Sequence, residues 1–207
     1  MTVTDVNVVK SAIFERPDDA NKGTLGSLLC VCGSYGMAGA AVMSAKGALR
    51  TGIGLAKCAL PRSIYPIVAQ TILESVYYPL SENADGRISK VNVPFLVSES
   101  CKSSATLVGC GLGVCDDTLK IVLSLIENST TPLVLDADAL NCVAKQPEIL
   151  LRKKAPIIIT PHPGEMSRLT GLATPLVNAE RERVALDFTQ KYGVVTVLKG
   201  AGTVIAS

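Results

Sequence analysis

The stretch Ala155-Pro-Ile-Ile-Ile-Thr-Pro-His-Pro-Gly-Glu-Met166 sets the terms for the rest of the chain, because an apolar run without alternation passes straight into a polar turn holding the only histidine. Ile157, Ile158 and Ile159 are β-branched and consecutive, the pattern of a strand covered on both faces in a parallel sheet. Such a sheet needs helices between its strands, so this run already points to an α/β chain. Pro161 and Pro163 fix their own φ angles and favour extended conformations for the residues before them, which presents His162 from a stiff turn. Gly164 then permits a change of direction, and Glu165 and Met166 open a helix. Ligands of open α/β sheets collect outside the carboxyl ends of the strands, which makes His162 a site candidate. A plain strand-to-helix connection with a surface histidine is the alternative.

The same arrangement recurs along the chain. Strands are predicted at about Ser27 to Gly33, Leu55 to Leu60, Ser75 to Tyr78, Ala105 to Val108, Leu133 to Asp136 and Gly193 to Lys199, with helices after most of them. The first strand runs into Gly33-Ser-Tyr-Gly-Met-Ala-Gly-Ala-Ala41 and a helix lasting to about Thr51. Small residues there let a phosphate or ribose approach the backbone, and the helix start offers unpaired N–H groups. Tight helix-on-strand packing explains the same composition. A second glycine-rich turn, Gly109-Cys-Gly-Leu-Gly-Val-Cys-Asp-Asp117, follows the fourth strand, with Asp116 or Asp117 placed to cap the next helix. After Leu133-Val-Leu the turn carries acids instead, which can hold a hydrated Mg²⁺, accept a ribose hydroxyl or only cap the next helix: Asp136 is a candidate for the border of the site, and Asp138 is read as the helix cap. The last strand ends in Lys199, turns through Gly200-Ala201-Gly202 and returns as Thr203 to Ala206. Lysine and glycine N–H groups suit a phosphate, and a plain hairpin with a solvated lysine is the alternative.

Composition narrows the function classes. The net charge is only +2 with no basic run, which argues against nucleic acid as a partner. Apolar residues make up 48% of the chain without a stretch of membrane-spanning length, so no membrane association is expected. Met1 to Lys10 lacks a basic start followed by an apolar block, and the cytoplasm is the expected location. The seven cysteines are odd in number and never spaced Cys-x-x-Cys, a poor match to a zinc site or a disulfide framework.

Taken together, Gly33-Ser-Tyr-Gly-Met-Ala-Gly-Ala-Ala, Gly109-Cys-Gly-Leu-Gly, Leu135-Asp-Ala-Asp-Ala-Leu-Asn, Thr160-Pro-His-Pro-Gly-Glu-Met and Leu198-Lys-Gly-Ala-Gly-Thr resemble, in content and order, the NAD(P)H-hydrate dehydratases of the ribokinase-like superfamily. The resemblance spans about Lys22 to Ala206. Cys110 departs from it, standing where the family more often has proline. It implies a mostly parallel α/β sheet with helices on both faces and a repair reaction, in which hydrated NADH or NADPH is phosphorylated on its new hydroxyl and loses phosphate. Carried over residue by residue, Ala40, Gly111, Gly113 and His162 would contact the hydrated dinucleotide, and Lys199, Gly200, Ala201, Gly202 and Thr203 would hold ADP or ATP. Mg²⁺ is expected with the nucleotide, held largely through phosphate and water, with Asp136 and Glu165 as candidate ligands. A homo-oligomer is expected on the same ground.

Family members continue past this hairpin into a Gly-Ser-Gly-Asp-like segment, whose backbone forms an anion hole and whose aspartate is the expected base. No such string occurs in the 207 residues. The catalytic aspartate is therefore expected beyond Ser207, and the chain is read as one C-terminally incomplete ribokinase-like domain; a protein ending at Ser207 is expected to show little or no turnover and an exposed sheet edge. Two other readings stand beside this one, a ribokinase-like kinase for a small alcohol and an inactive nucleotide-binding or assembly subunit.

Overall fold

A computed structural model describes Asn7, Val9, Lys10 and residues 17–207. Eight strands form one sheet in the order β3-β2-β1-β4-β5-β6-β7-β8. They are β1 (Ser27–Val31), β2 (Leu55–Pro61), β3 (Val76–Leu80), β4 (Ala105–Val108), β5 (Leu133–Leu135), β6 (Ile157–Ile159), β7 (Val195–Leu198) and β8 (Val204–Ala206). All neighbours pair in parallel except β7 and β8, the hairpin expected around Gly200 to Gly202. Strand β1 lies between β2 and β4, so the chain runs outward one way through β3, returns, and runs outward the other way. That reversal is a topological switch point, and it sets the carboxyl ends of β1 and β4 side by side.

Within residues 17–207 the α-helices are α1 (Ala38–Arg50), α2 (Tyr65–Thr71), α3 (Val93–Cys101), α4 (Asp116–Asn128), α5 (Asp138–Val143), α6 (Pro163–Thr170), α7 (Thr174–Ala179) and α8 (Arg181–Tyr192). On one face, Leu29, Val31, Val108, Leu133, Leu135, Ile157 and Ile159 pack with Ile121, Leu125, Leu140, Met166, Ala185 and Phe188 in the larger core. On the other face, Cys30, Cys32, Cys58 and Leu60 pack with Ala41 and Ala45 of α1 and Val68 of α2. This second cover is confined to the β1 to β3 side. Leu107, Val134, Ile158 and Val197 on the same face are only half-buried. The isoleucine run is thus fully buried on one face only, at Ile157 and Ile159, and falls short of the expected two-sided burial at Ile158, because no described helix packs over that part of the sheet. At the edge, β8 pairs only with β7 and leaves Ile205 64% exposed.

Most strands fall within two residues of their predicted places. Pro61 is the last residue of β2, and α2 begins four residues on at Tyr65. Cys115, not Asp116 or Asp117, caps α4: Thr118 Oγ1 accepts from the Cys115 N–H at 2.9 Å, and the Cys115 sulfur accepts from the Thr118 backbone. The two aspartates occupy the first turn, where their charge suits the helix dipole. Helices α7 and α8 and a 3₁₀ segment at Pro147–Arg152 complete the elements between β5 and β7. No described helix is long and apolar enough to cross a membrane. Leu135 is fully buried at the centre of the larger core. Leu135→Ala is expected to cost about 2–5 kcal/mol, read as a lower denaturant midpoint with an unchanged slope.

Candidate functional site

The loops after β1 and β4 meet backbone to backbone. The Gly33 N–H donates to Cys110 O at 2.8 Å, and the buried Ser34 hydroxyl donates to Gly111 O at 2.8 Å. Two glycines make this approach possible. A Cβ at Gly111, whose φ is 68°, would stand 2.7 Å from Ala40 Cβ, and one at Gly109 would stand 1.8 Å from Asp136 O. Ala40 and Gly111, expected to share a ligand, therefore touch each other. Gly113 lies further round the turn, its N–H bonded to Asp138 Oδ2 at 2.8 Å and its open side against Arg87. Asp138 is thus the first residue of α5 reaching back to another loop, a correction to its expected role as cap; the N-cap is Ala137, which is held at a φ of 50°. A non-glycine residue there is strained, and the bonds of Asp136 and Asp138 on either side hold it in place.

Asp136 gathers the remaining loops. Its Oδ1 accepts from Lys199 Nζ and from Thr160 Oγ1, each at 2.7 Å, and Cys110 Sγ lies 3.5 Å from Oδ2. Burial pushes this carboxyl up, but the hydrogen bonds from Lys199 and Thr160 and the lysine charge outweigh it and hold the group below the usual aspartate range. Thr160 leads into His162, which caps α6: its Nδ1 accepts from the Gly164 N–H at 3.0 Å and the Glu165 N–H at 3.4 Å. Glu165 Oε2 accepts from the His162 N–H at 2.8 Å, completing a capping box. With Nδ1 occupied as an acceptor, the neutral ring carries its hydrogen on Nε2, 3.4 Å from Glu165 Oε1. The hairpin is tied to this turn by the Lys199 N–H donating to Pro161 O at 2.8 Å. Beyond Lys199, the Thr203 hydroxyl closes the Gly200-Ala201-Gly202 turn by donating to Gly200 O at 3.0 Å, and the turn itself is exposed.

A cavity of about 660 Å³ opens beside α1 at these strand ends. Ala40, Ser44, Cys110, Gly111, Asp136 and Thr160 line it, and Met43, Leu107 and Val134 extend it as an apolar trough along the sheet. Of the predicted residues, Ala40 and Gly111 are on its wall, Lys199 is joined to it through Asp136, and Gly113, His162 and the Gly200 to Thr203 turn lie outside the lining. Thr160 and Ser34 were missed by sequence reasoning, since a hydroxyl's partner 24 or 77 residues away leaves no local pattern. The carboxylates do not fit a protein-built Mg²⁺ cage. Among the described residues no group of three His, Cys, Asp or Glu is placed to hold a metal, Asp136 is committed to Lys199 and Thr160, and Glu165 to its cap.

The depressed Asp136 fixes the sign of a pH effect. A carboxyl held lower in the folded state contributes stability that is fully present above its unfolded value and is lost as pH falls through the folded one. Thermal melts of wild type and Asp136→Asn should therefore differ most near neutrality, in favour of wild type, and converge in acid. A gap that stays constant into acid would sink the assignment.

Comparison with known proteins places this geometry. The profile of the NAD(P)H-hydrate dehydratase family matches residues 28–207. The bifunctional NAD(P)H-hydrate repair enzyme of Thermofilum pendens is 38% identical over 93% of this chain and 37% of its own length. The ADP-dependent (S)-NAD(P)H-hydrate dehydratase of Neisseria meningitidis is 32% identical over 93% of this chain and 62% of its own. The chain thus spans from about a third to three-fifths of the relatives it matches. Among solved structures, the ADP/ATP-dependent NAD(P)H-hydrate dehydratase of Bacillus subtilis, co-crystallised with ATP and Mg²⁺, superposes with a TM-score of 0.78 at 29% identity, covering 97% of this chain and 67% of that one. The glycine loops at the switch point, the Asp136 junction and the Lys199 hairpin all fall inside the matched residues, and the chain belongs to the NAD(P)H-hydrate dehydratase family.

Proposed function

We propose that this chain acts in the ADP- or ATP-dependent dehydration of hydrated NADH or NADPH, within a single ribokinase-like domain. The observation that carries the reading is the Asp136 junction, in which a carboxylate on the cavity wall holds Lys199 and Thr160 at 2.7 Å each and so ties the first residue of the Lys-Gly-Ala-Gly-Thr turn to that wall. Phosphoryl transfer asks a protein mainly to align donor and acceptor and to offset phosphate charge, and a cavity joined through one lysine to a glycine turn suits that task.

In this reading Lys199, Gly200, Ala201, Gly202 and Thr203 hold the adenine nucleotide, and Ala40, Gly111, Gly113 and His162 receive the hydrated dinucleotide. The substrate hydroxyl attacks the terminal phosphoryl group, the nucleotide leaves one phosphate shorter, and the phosphorylated ring then expels phosphate while losing a proton, which restores the reduced nicotinamide. Lys199 exchanges Asp136 for a phosphate oxygen when nucleotide enters, and Asp136 is left to Thr160 and Cys110. Asp136 is a poor general base for the elimination, because its partners hold it below the usual range; the family resemblance assigns that role to the aspartate of a Gly-Ser-Gly-Asp segment. Mg²⁺ would travel with the nucleotide phosphates, supplying charge neutralisation there. The resemblance also supports a homo-oligomer working in the cytoplasm.

Two measurements test this. ADP should raise the melting temperature of the wild-type chain, and Lys199→Ala should remove most of that rise while leaving the unliganded transition within a few degrees. With hydrated NADH and Mg²⁺, return of reduced-nicotinamide absorbance should require ADP or ATP. A stable phosphorylated alcohol detected by mass, with no return of absorbance, would assign the small-alcohol kinase reading instead.

A further inference from the structure

Arg181 opens α8 directly behind the Lys199 hairpin, and its surroundings are unusual for a cation. One guanidinium nitrogen, Nη2, donates to Leu198 O at 2.8 Å and to Lys199 O at 2.9 Å. Nε is buried and has no hydrogen-bond partner. No carboxylate pairs with Arg181 among the described residues; the neighbouring Glu180 pairs with Arg183 instead. Gly200 lies against the guanidinium, so that a Cβ there would stand 2.8 Å from Nη2 and 2.9 Å from Nη1, and its φ of 153° is one that side chains rarely adopt. The glycine is thus required for the turn to rest on the arginine.

The charge bookkeeping of the hairpin singles Arg181 out. Lys199 is offset by Asp136 at 2.7 Å. The guanidinium stays protonated and is offset only by carbonyl dipoles. It also stands in the first turn of a helix, where a cation opposes the macrodipole and the dipole's own positive end adds to the local potential. A half-buried, unpaired cation at a helix start, pressed against a glycine turn, raises the potential on the outer side of that turn and favours an anion there.

We propose that Arg181 is a positioning residue for the phosphate groups of a nucleoside di- or triphosphate: it holds the Lys199 to Thr203 turn through its carbonyls and supplies the uncompensated positive charge beneath it. The proposal rests on the reading of that turn as the nucleotide site. It assigns Arg181 no contact with the reacting atoms.

The test is calorimetric titration of the wild-type chain, Arg181→Gln and Arg181→Lys with ADP and with adenosine, each with Mg²⁺ at low and high salt. Glutamine keeps a donor for the two carbonyls and removes the charge. It should weaken ADP roughly tenfold at low salt and flatten the salt dependence, while changing adenosine binding less than about twofold. Lysine keeps the charge and should hold ADP affinity within about threefold of wild type, which preserves the test if the glutamine variant does not fold. Unchanged ADP affinity and salt dependence in Arg181→Gln overturns the proposal. So does an equal loss for ADP and adenosine, which marks a purely structural role, and so does a lysine variant as weak as the glutamine one. If the wild-type chain binds no ADP, the reading of the hairpin as a nucleotide site fails first.

Discussion

The Asp136 carboxylate is the interaction on which the arrangement of the site depends. It sits at the end of β5, a strand buried between β4 and β6, and from there reaches the second glycine loop, the turn before His162 and the last hairpin. Three segments far apart in sequence are thereby referred to one carboxyl group on a rigid element. Burial penalises the charge of this hub, and the hydrogen bonds from Lys199 and Thr160 with the lysine charge outweigh that penalty. The pair between Asp136 and Lys199 accordingly offsets two charges that sit 63 residues apart in the chain.

Beneath that hub the two glycine loops impose a second constraint, one of volume. Gly33, Gly109 and Gly111 stand where added side chains would meet Ile64, Asp136 or Ala40 at 2.8 Å or less. The loops touch because nothing projects between them, and the N–H and C=O groups released by their tight turns are satisfied across the gap by each other and by Ser34. Adjacency of β1 and β4 in the sheet is what makes these contacts possible.

Much of this was legible in the residues themselves. Unalternated apolar runs located the strands, and the turns after β1, β4 and β5 marked segments that come together at the cavity, the glycine-rich ones because they need φ angles and close approaches that other residues resist. Asp136 could be singled out by its place after Leu133-Val-Leu, but its partners could not, since Lys199 is 63 residues away and meets it only through the strand order. Asp138 was misjudged for the same reason: aspartate at a helix start ordinarily caps, and here the Gly113 N–H, 25 residues upstream, claims it. Cys115 as a cap went unread because sulfur is a weak acceptor and rare in that position. Arg181 gave no signal at all, lying in an Arg-Glu-Arg run that resembles a solvated helix face.

The place of β1 in the sheet also bears on the order in which the protein acquires its parts. The first glycine loop is made early in synthesis, yet its partner Gly111 lies 77 residues downstream, and β1 cannot have its second neighbour until Ala105–Val108 has left the ribosome. Lys199 comes later still. A nascent chain can therefore assemble β1, β2 and β3 under α1 and α2 as a local unit well before the cavity has a second wall, and non-local pairing of this kind is slow. The cavity at the strand ends is then among the last features the folding chain completes, and its walls report on completion of the sheet rather than on its beginning.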